Sequence, residues 1–338
     1  MNASKLCRRL SLLASSVALA LVANVALAQS SKVDRLVTFG GSLSDTGNAF
    51  AFLSDPAIPR SDCGVPQGVP PYDTLDDFLV PDGPYAKGGH HFSNGATWVE
   101  GVARALALAG NARPALPNAG KAASNYAAGG ARAVAHDDWV AACRYNLPAQ
   151  VGAYLADFPQ TSARSLIAME IGGNDVRDAL VAPSRGQDPA LILQSALASV
   201  GNSVGALYAS GARKFVLLNI PDPAKAPSVR VLGSDAVAAA SFLARTYNGF
   251  LHAMHLQLMQ ALPGSDIRIV DLYALLNLIV ASPGSYGLVN VIDACVTPGT
   301  PPFQCRKPDS YLFWDGLHPT KRVHEIIARE VLATMSAP

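Results

Sequence analysis

Charge is scarce in this sequence and nearly balanced. Asp, Glu, Lys and Arg make up 15% of its 338 residues, 26 basic against 25 acidic. Lys5, Arg8 and Arg9 fall within the first 28 residues; without those three, 23 basic side chains face 25 acidic ones, a net of −2. That balance offers no electrostatic footprint for a nucleic-acid partner. Beyond residue 28 no stretch approaches the length expected of a membrane-spanning helix. No strand-rich C-terminal region suggests an outer-membrane barrel, and no internal repeat or second domain is evident. His252 and His255 stand at i and i+3 and could share a metal, but no third ligand pattern accompanies them. A packing or surface role is expected for both, and no metal.

What charge there is at the N-terminus has a purpose. A basic start precedes an apolar run from Leu10 to Val25, and Ala26-Leu27-Ala28 supplies small residues at a cleavage position before Gln29. Residues 1–28 read as a secretory signal peptide, with an uncleaved membrane anchor as the alternative. Residues 29–338 are then one exported domain, secreted or periplasmic, large enough to bury a full core. Of the five cysteines, Cys7 leaves with the leader. Cys63, Cys143, Cys295 and Cys305 remain, and an even number in an exported chain suggests disulfides. Three pairings are open. Cys295–Cys305 with Cys63–Cys143 is favoured, because the first closes a short Pro/Gly loop; four buried thiols are the alternative.

Apolar runs alternate with helical periods along the chain. Leu36 to Phe39, Leu166 to Ile171, Lys214 to Ile220 and Ile267 to Asp271 read as strands, and Ala122 to Ala128 as a short one. Helices are expected after Thr97, over Leu147–Phe158, 189–210 and 235–262, and from Pro319 at a first helical position. Thr97 and Glu100 have capping-box spacing, and Gly110 is expected to stop their helix. This alternation predicts a mostly parallel α/β sheet covered on both faces. Ala49 to Gly89, rich in Pro, Gly and Asp, reads as a long loop in which Tyr72, Phe78 and Tyr85 could line a substrate pocket, with a decorated surface loop as the equal alternative. Ala281 to Pro308 also reads as loop.

Several strand ends carry chemistry. After β-type residues, Gly40 and Gly41 permit a sharp turn and present Ser42, placed as a nucleophile needs to be. Gly129-Gly130 follows the short strand. Gly172-Gly173-Asn174-Asp175 follows the next, where an Asn amide can face developing negative charge. Near the C-terminus, Asp315 and His318 are three residues apart, a spacing that lets a carboxylate reach Nδ1 and leaves Nε2 for a serine. A competing motif, Gly201-Asn202-Ser203-Val204-Gly205, has the form of a nucleophile elbow. It is rejected because helical spacing, not a strand, precedes it.

The runs VTFGGSLSDTGN, FSNGATWVE, NYAAGGA, GGND and DGLH, in that order, resemble the blocks of the GDSL, or SGNH, hydrolases. Gly41 is the departure: the family has Asp there. The resemblance covers about Val37 to Glu330 and implies a flavodoxin-like three-layer α/β/α sandwich. It also implies a secreted serine esterase or lipase acting through Ser42, His318 and Asp315. The oxyanion donors would be the N–H groups of Ser42 and Gly130 and the Asn174 amide. An ester or lipid substrate and no cofactor follow. A phospholipase or acyltransferase of the same fold, or a binding protein that kept the fold, is the alternative.

Overall fold

Four apolar runs pair side by side in the computed structural model, which describes residues 33–53, 90–116, 120, 122–134, 145–297 and 304–337. They are β1 (Arg35–Gly40), β2 (Ser165–Glu170), β3 (Lys214–Leu218) and β4 (Asp266–Val270), in that spatial order. Every pairing is parallel. Side chains two apart share a face, so Val37, Phe39, Ile167, Met169, Phe215 and Leu217 enter one core, while Leu36, Leu166, Ala168, Val216 and Leu218 enter the other. Burial on both faces is why these strands are almost continuously apolar.

Among the described residues the α-helices longer than one turn are α1 (Asn48–Leu53), α2 (Trp98–Ala105), α3 (Leu147–Asp157), α4 (Gly173–Val181), α5 (Pro189–Ala209), α6 (Ser234–Ala261), α7 (Leu272–Ala281) and α8 (Lys321–Ser336). On one side of the sheet α3 to α6 contribute Tyr154, Val176, Leu193, Leu197 and Tyr247. On the other, α2, α7 and α8 contribute Trp98, Val102, Ile279, Val323 and Ile327. The result is an α/β/α sandwich.

Residues 124–128 lie along the free edge of β1. Thr38 N–H donates to Ser124 O at 3.0 Å, Tyr126 N–H to Thr38 O at 2.8 Å, and Ala128 N–H to Gly40 O at 3.1 Å. The expected strand at Ala122–Ala128 is thus an irregular edge rather than a full ladder. The ladder breaks at Gly40, whose N–H would reach Tyr126 O but donates to Gln150 Oε1 at 2.9 Å instead. Counting this edge as the second strand of the chain, the order is 2-1-3-4-5, the flavodoxin-like order.

Several expectations need correction. The run from Ala49 does not begin as loop, because Asp45 caps α1. The expected loop 281–308 begins in α7 and contains β5 (Asn290–Ala294), paired in parallel with β6 (Tyr311–Phe313) as a separate small sheet. Asn290 and Asp293 interrupt the apolar run that would have marked β5, and Ile292 between them is exposed. Helix α2 ends at Ala105, before Gly110. Pro319 precedes α8 instead of starting it: Thr320 is the N-cap and Pro319 bridges to Phe313. Helix α5 is, among the described residues, the one helix long and apolar enough to cross a membrane, contrary to the expectation of none beyond the leader. Its Leu193, Leu197, Val200, Val204 and Leu207 pack into the core. Tyr72, Phe78, Tyr85 and the Cys63–Cys143 pairing lie outside the described residues. Cys295–Cys305 is formed.

Candidate active site

The chain turns sharply where β1 ends. A Cβ on Gly40 would stand 2.1 Å from the Glu170 carbonyl oxygen, so only glycine lets β1 and β2 approach there. The Gln150 side chain clamps the same residue, accepting from Gly40 N–H and donating to Gly40 O, both at 2.9 Å. Gly41 N–H donates to Glu170 O at 3.0 Å. Ser42 emerges from this pinned turn, partly exposed.

Ser42 Oγ lies 2.9 Å from His318 Nε2, and His318 Nδ1 lies 2.7 Å from Asp315 Oδ2. Asp315 is fully buried. Its other oxygen accepts the N–H groups of Leu317 and His318, at 2.7 and 2.6 Å. The carboxylate therefore closes the turn that carries its own histidine, which is the physical content of the three-residue spacing. A carboxylate only accepts, so Nδ1 carries the proton and Nε2 is left to accept from the serine. The Phe92 ring packs 5.1 Å from the imidazole, centre to centre.

The other candidates meet at the same strand ends. Ala128 to Ala131 form a turn closed by Ala131 N–H to Ala128 O at 3.1 Å. Gly130 has a left-handed φ of +81°, as type II turns need at their third residue. Gly129 has no room for a side chain: a Cβ would meet Phe92 Cζ at 2.1 Å. Asn174 opens α4, and its Nδ2 donates to Ala131 O at 2.9 Å. That same nitrogen lies 3.7 Å from where a Gly41 Cβ would be. Asn174 thus stands between the serine turn and the Gly130 turn. Ser203 is apart from all of these, buried inside α5. His255 Nε2 lies 2.7 Å from Ile267 O, and among the described residues no group of three or more His, Cys, Asp or Glu could hold a metal.

Ser44, Asp45, Thr46 and Asn48 carry no role in the sequence beyond their place in the VTFGGSLSDTGN run. They wire the site together. Asn48 Nδ2 donates to Asn125 O and Ala127 O, and its Oδ1 accepts from Leu116 N–H. Thr46 Oγ1 donates to Ala112 O. Ser44 Oγ donates to Glu170 Oε2 and accepts from Trp98 Nε1, both at 3.1 Å. Burial pushes the Glu170 carboxyl up to about 8, against the lowering effect of its hydrogen bonds. A dense run of small polar residues directly after a strand was the available signal.

A serine, an imidazole and a buried carboxylate joined in that order are the arrangement of hydrolases that activate a serine. The chain belongs to the family described as GDSL-like Lipase/Acylhydrolase, whose model matches residues 36–331. This is a family of ester hydrolases. A GDSL esterase/lipase of Arabidopsis thaliana is 30% identical over 190 residues, 51% of this chain and 54% of that protein. The thermolabile hemolysin of Vibrio parahaemolyticus is 24% identical over 326 residues, 91% of this chain and 65% of that protein. The chain thus spans between about half and two thirds of these relatives' length. Among solved structures, the acetylxylan esterase Axe2 of Geobacillus stearothermophilus aligns with a TM-score of 0.41 and 16% identity, over 90% of this chain and 94% of that one.

Proposed function

We propose that the protein is an exported serine esterase or lipase that hydrolyses carboxylic esters through an acyl-enzyme. The observation that carries this is the continuous Ser42–His318–Asp315 hydrogen-bonded array, with a 2.9 Å and a 2.7 Å link. Ser42 Oγ attacks the ester carbonyl carbon while His318 Nε2 takes its proton. The oxyanion is held by the N–H groups of Ser42 and Gly130 and by the Asn174 amide. Collapse expels the alcohol, which leaves with the proton from His318. Water, deprotonated by the same histidine, then attacks the acyl-serine and frees the acid and Ser42. Asp315 holds the imidazole tautomer throughout. Each oxyanion donor is worth about 100- to 1000-fold in rate. In this reading residues 29–338 act as one unit after the 1–28 leader is removed, and the site needs no cofactor.

The test is hydrolysis of p-nitrophenyl esters of increasing chain length, and of a phospholipid, by wild type and Ser42→Ala, with a fluorophosphonate label on both. Turnover and labelling that vanish together in the variant support the reading. A label that survives in Ser42→Ala identifies the wrong serine. An added alcohol that diverts the product from acid to a new ester points to acyl transfer. A folded wild type with neither turnover nor label leaves the binding-protein reading.

A further inference from the structure

Arg132 lies two residues beyond Gly130 and is almost fully buried. Its Nε and Nη2 donate to the two oxygens of Asp178, at 2.8 and 3.0 Å. Its Nη1 donates to the Gly130 carbonyl at 2.8 Å. Asp178 sits on α4, four residues and about one helical turn after Asn174, so both project from the same face of that helix. One guanidinium therefore ties the backbone of the Gly130 turn to the helix that presents Asn174.

The peptide geometry shows what this tie does. Gly129 N–H is held by Asp45 Oδ2 at 2.7 Å. Gly130 O is held by Arg132. The peptide joining Gly129 to Gly130, which carries the Gly130 N–H, lies between these two pinned groups, and the turn's own hydrogen bond does not use that N–H. Glycine at φ +81° has no side chain to limit its rotation, so the fixed neighbours set where the N–H points. A buried ion pair contributes little net stability, because desolvation offsets its attraction. Its rigid fork, by contrast, fixes direction well.

We propose that Arg132, braced by Asp178, is a positioning residue that sets the Gly130 N–H against the same oxyanion that Asn174 faces. The proposal rests on the reading of Gly130 and Asn174 as oxyanion donors. Its effect falls on the transition state, so kcat should drop while KM holds.

The experiment compares wild type, Arg132→Lys, Arg132→Leu, the double variant Arg132→Leu/Asp178→Leu and Ser42→Ala on p-nitrophenyl butyrate, with melting temperatures for each. Arg132→Lys keeps the charge but loses the fork. Both single variants at Arg132 should lose about 10- to 100-fold in kcat, with KM within about threefold of wild type. Arg132→Leu strips the Asp178 charge of its hydrogen-bonded partner, leaving only Arg177 at 3.8 Å, and should also melt earlier. The double variant removes that stranded charge and should regain melting temperature but not kcat. If kcat returns together with melting temperature, or if Arg132→Lys turns over like wild type, the proposal is overturned. Should Arg132→Leu fail to fold, the lysine and double variants still decide. An inactive Ser42→Ala beside fully active Arg132 variants sinks this inference alone. An active Ser42→Ala sinks the esterase reading beneath it.

Discussion

Asp45 Oδ2 accepts the Gly129 N–H at 2.7 Å, across 84 residues of sequence. The same carboxylate accepts from Gly47 and Asn48 through Oδ1 and from Ala49 through Oδ2. One buried side chain thus caps α1 and fastens the serine loop to the Gly130 turn. Burial pushes its pKa up, and the four N–H groups work against that.

Asp45→Ala leaves four buried donors without their acceptor. It should cost at least about 3 kcal/mol, since hydrogen bonds to a charged group are worth roughly 1.5–3 kcal/mol each. Asp45→Asn keeps one accepting oxygen and should lose less. Urea unfolding measures both, and an Asp45→Ala protein as stable as wild type would show that the cap is dispensable. A fall in kcat in the milder variant would show that the Gly129 contact reaches the site.

How much of this was readable in the sequence follows from where each determinant lies. Ser42 and Asn174 end apolar strands, and Asp315 and His318 share one local turn, so short-range patterns expose them. β1 to β3 were readable because burial on both faces makes their centres apolar, and β4, only half buried, because Ile267, Ile269 and Val270 still mark it. Asp45, Asn48, Glu170 and Arg132 act through partners tens to over a hundred residues away, and no local period records such pairs. Helix α7 is apolar along most of LYALLNLIVA, which blurs its period, and β5 is half exposed. Pro319 is ambiguous in sequence because proline suits both a first helical turn and the position before a cap.

Glu170 makes alkaline pH a probe of the site. In the unfolded chain its carboxyl titrates near 4.5, and in the fold near 8. Between these values the folded state holds a proton that the unfolded state has released. Stability therefore falls as pH rises, by about 1.4 kcal/mol per pH unit, and levels off above about 8. Asp175 is also raised by burial, to about 6, so it adds to the slope only below that pH. Tyr247, which faces Glu170, is raised well above 10 and is silent in this range. His324, which burial holds near 3, opposes this slope around pH 6.5 to 7, so Glu170 is isolated by comparing wild type with Glu170→Gln in urea unfolding from pH 6.5 to 8. Glu170→Gln should flatten the slope, and an unchanged slope would mean that another group carries it.

The Cys295–Cys305 bridge packs beside Phe92 and Trp314, next to the turn bearing Asp315 and His318. Closing a loop of 10 residues restricts the unfolded chain by about 2–3 kcal/mol. Cys295→Ala/Cys305→Ala should lower the melting temperature accordingly. Mild reduction of the wild type should reproduce the loss, with kcat falling as the Asp315–His318 turn loosens. Equal melting of reduced and oxidised protein would remove the bridge from the account.

Gly41 occupies the position where the family's first block has Asp, and the structure has room for that residue. Its backbone lies outside the left-handed region, and a Cβ there would meet only Asn174 Nδ2, at 3.7 Å, an ordinary contact. Gly41→Asp should therefore stabilise the fold by restricting the unfolded chain, about 0.4–1 kcal/mol or roughly 1–3 °C in melting temperature. The new carboxylate would also stand within reach of the Asn174 amide and the serine turn, so kcat should change with it. The turn already has two anchors, Gln150 on Gly40 and Glu170 O on the Gly41 N–H, so the wild type keeps its geometry without the acid. Calorimetry and p-nitrophenyl ester turnover on the one variant separate the two effects. A rise in melting temperature alone assigns Gly41 a cost in chain entropy only, whereas no change in either quantity removes any consequence from the departure at this position.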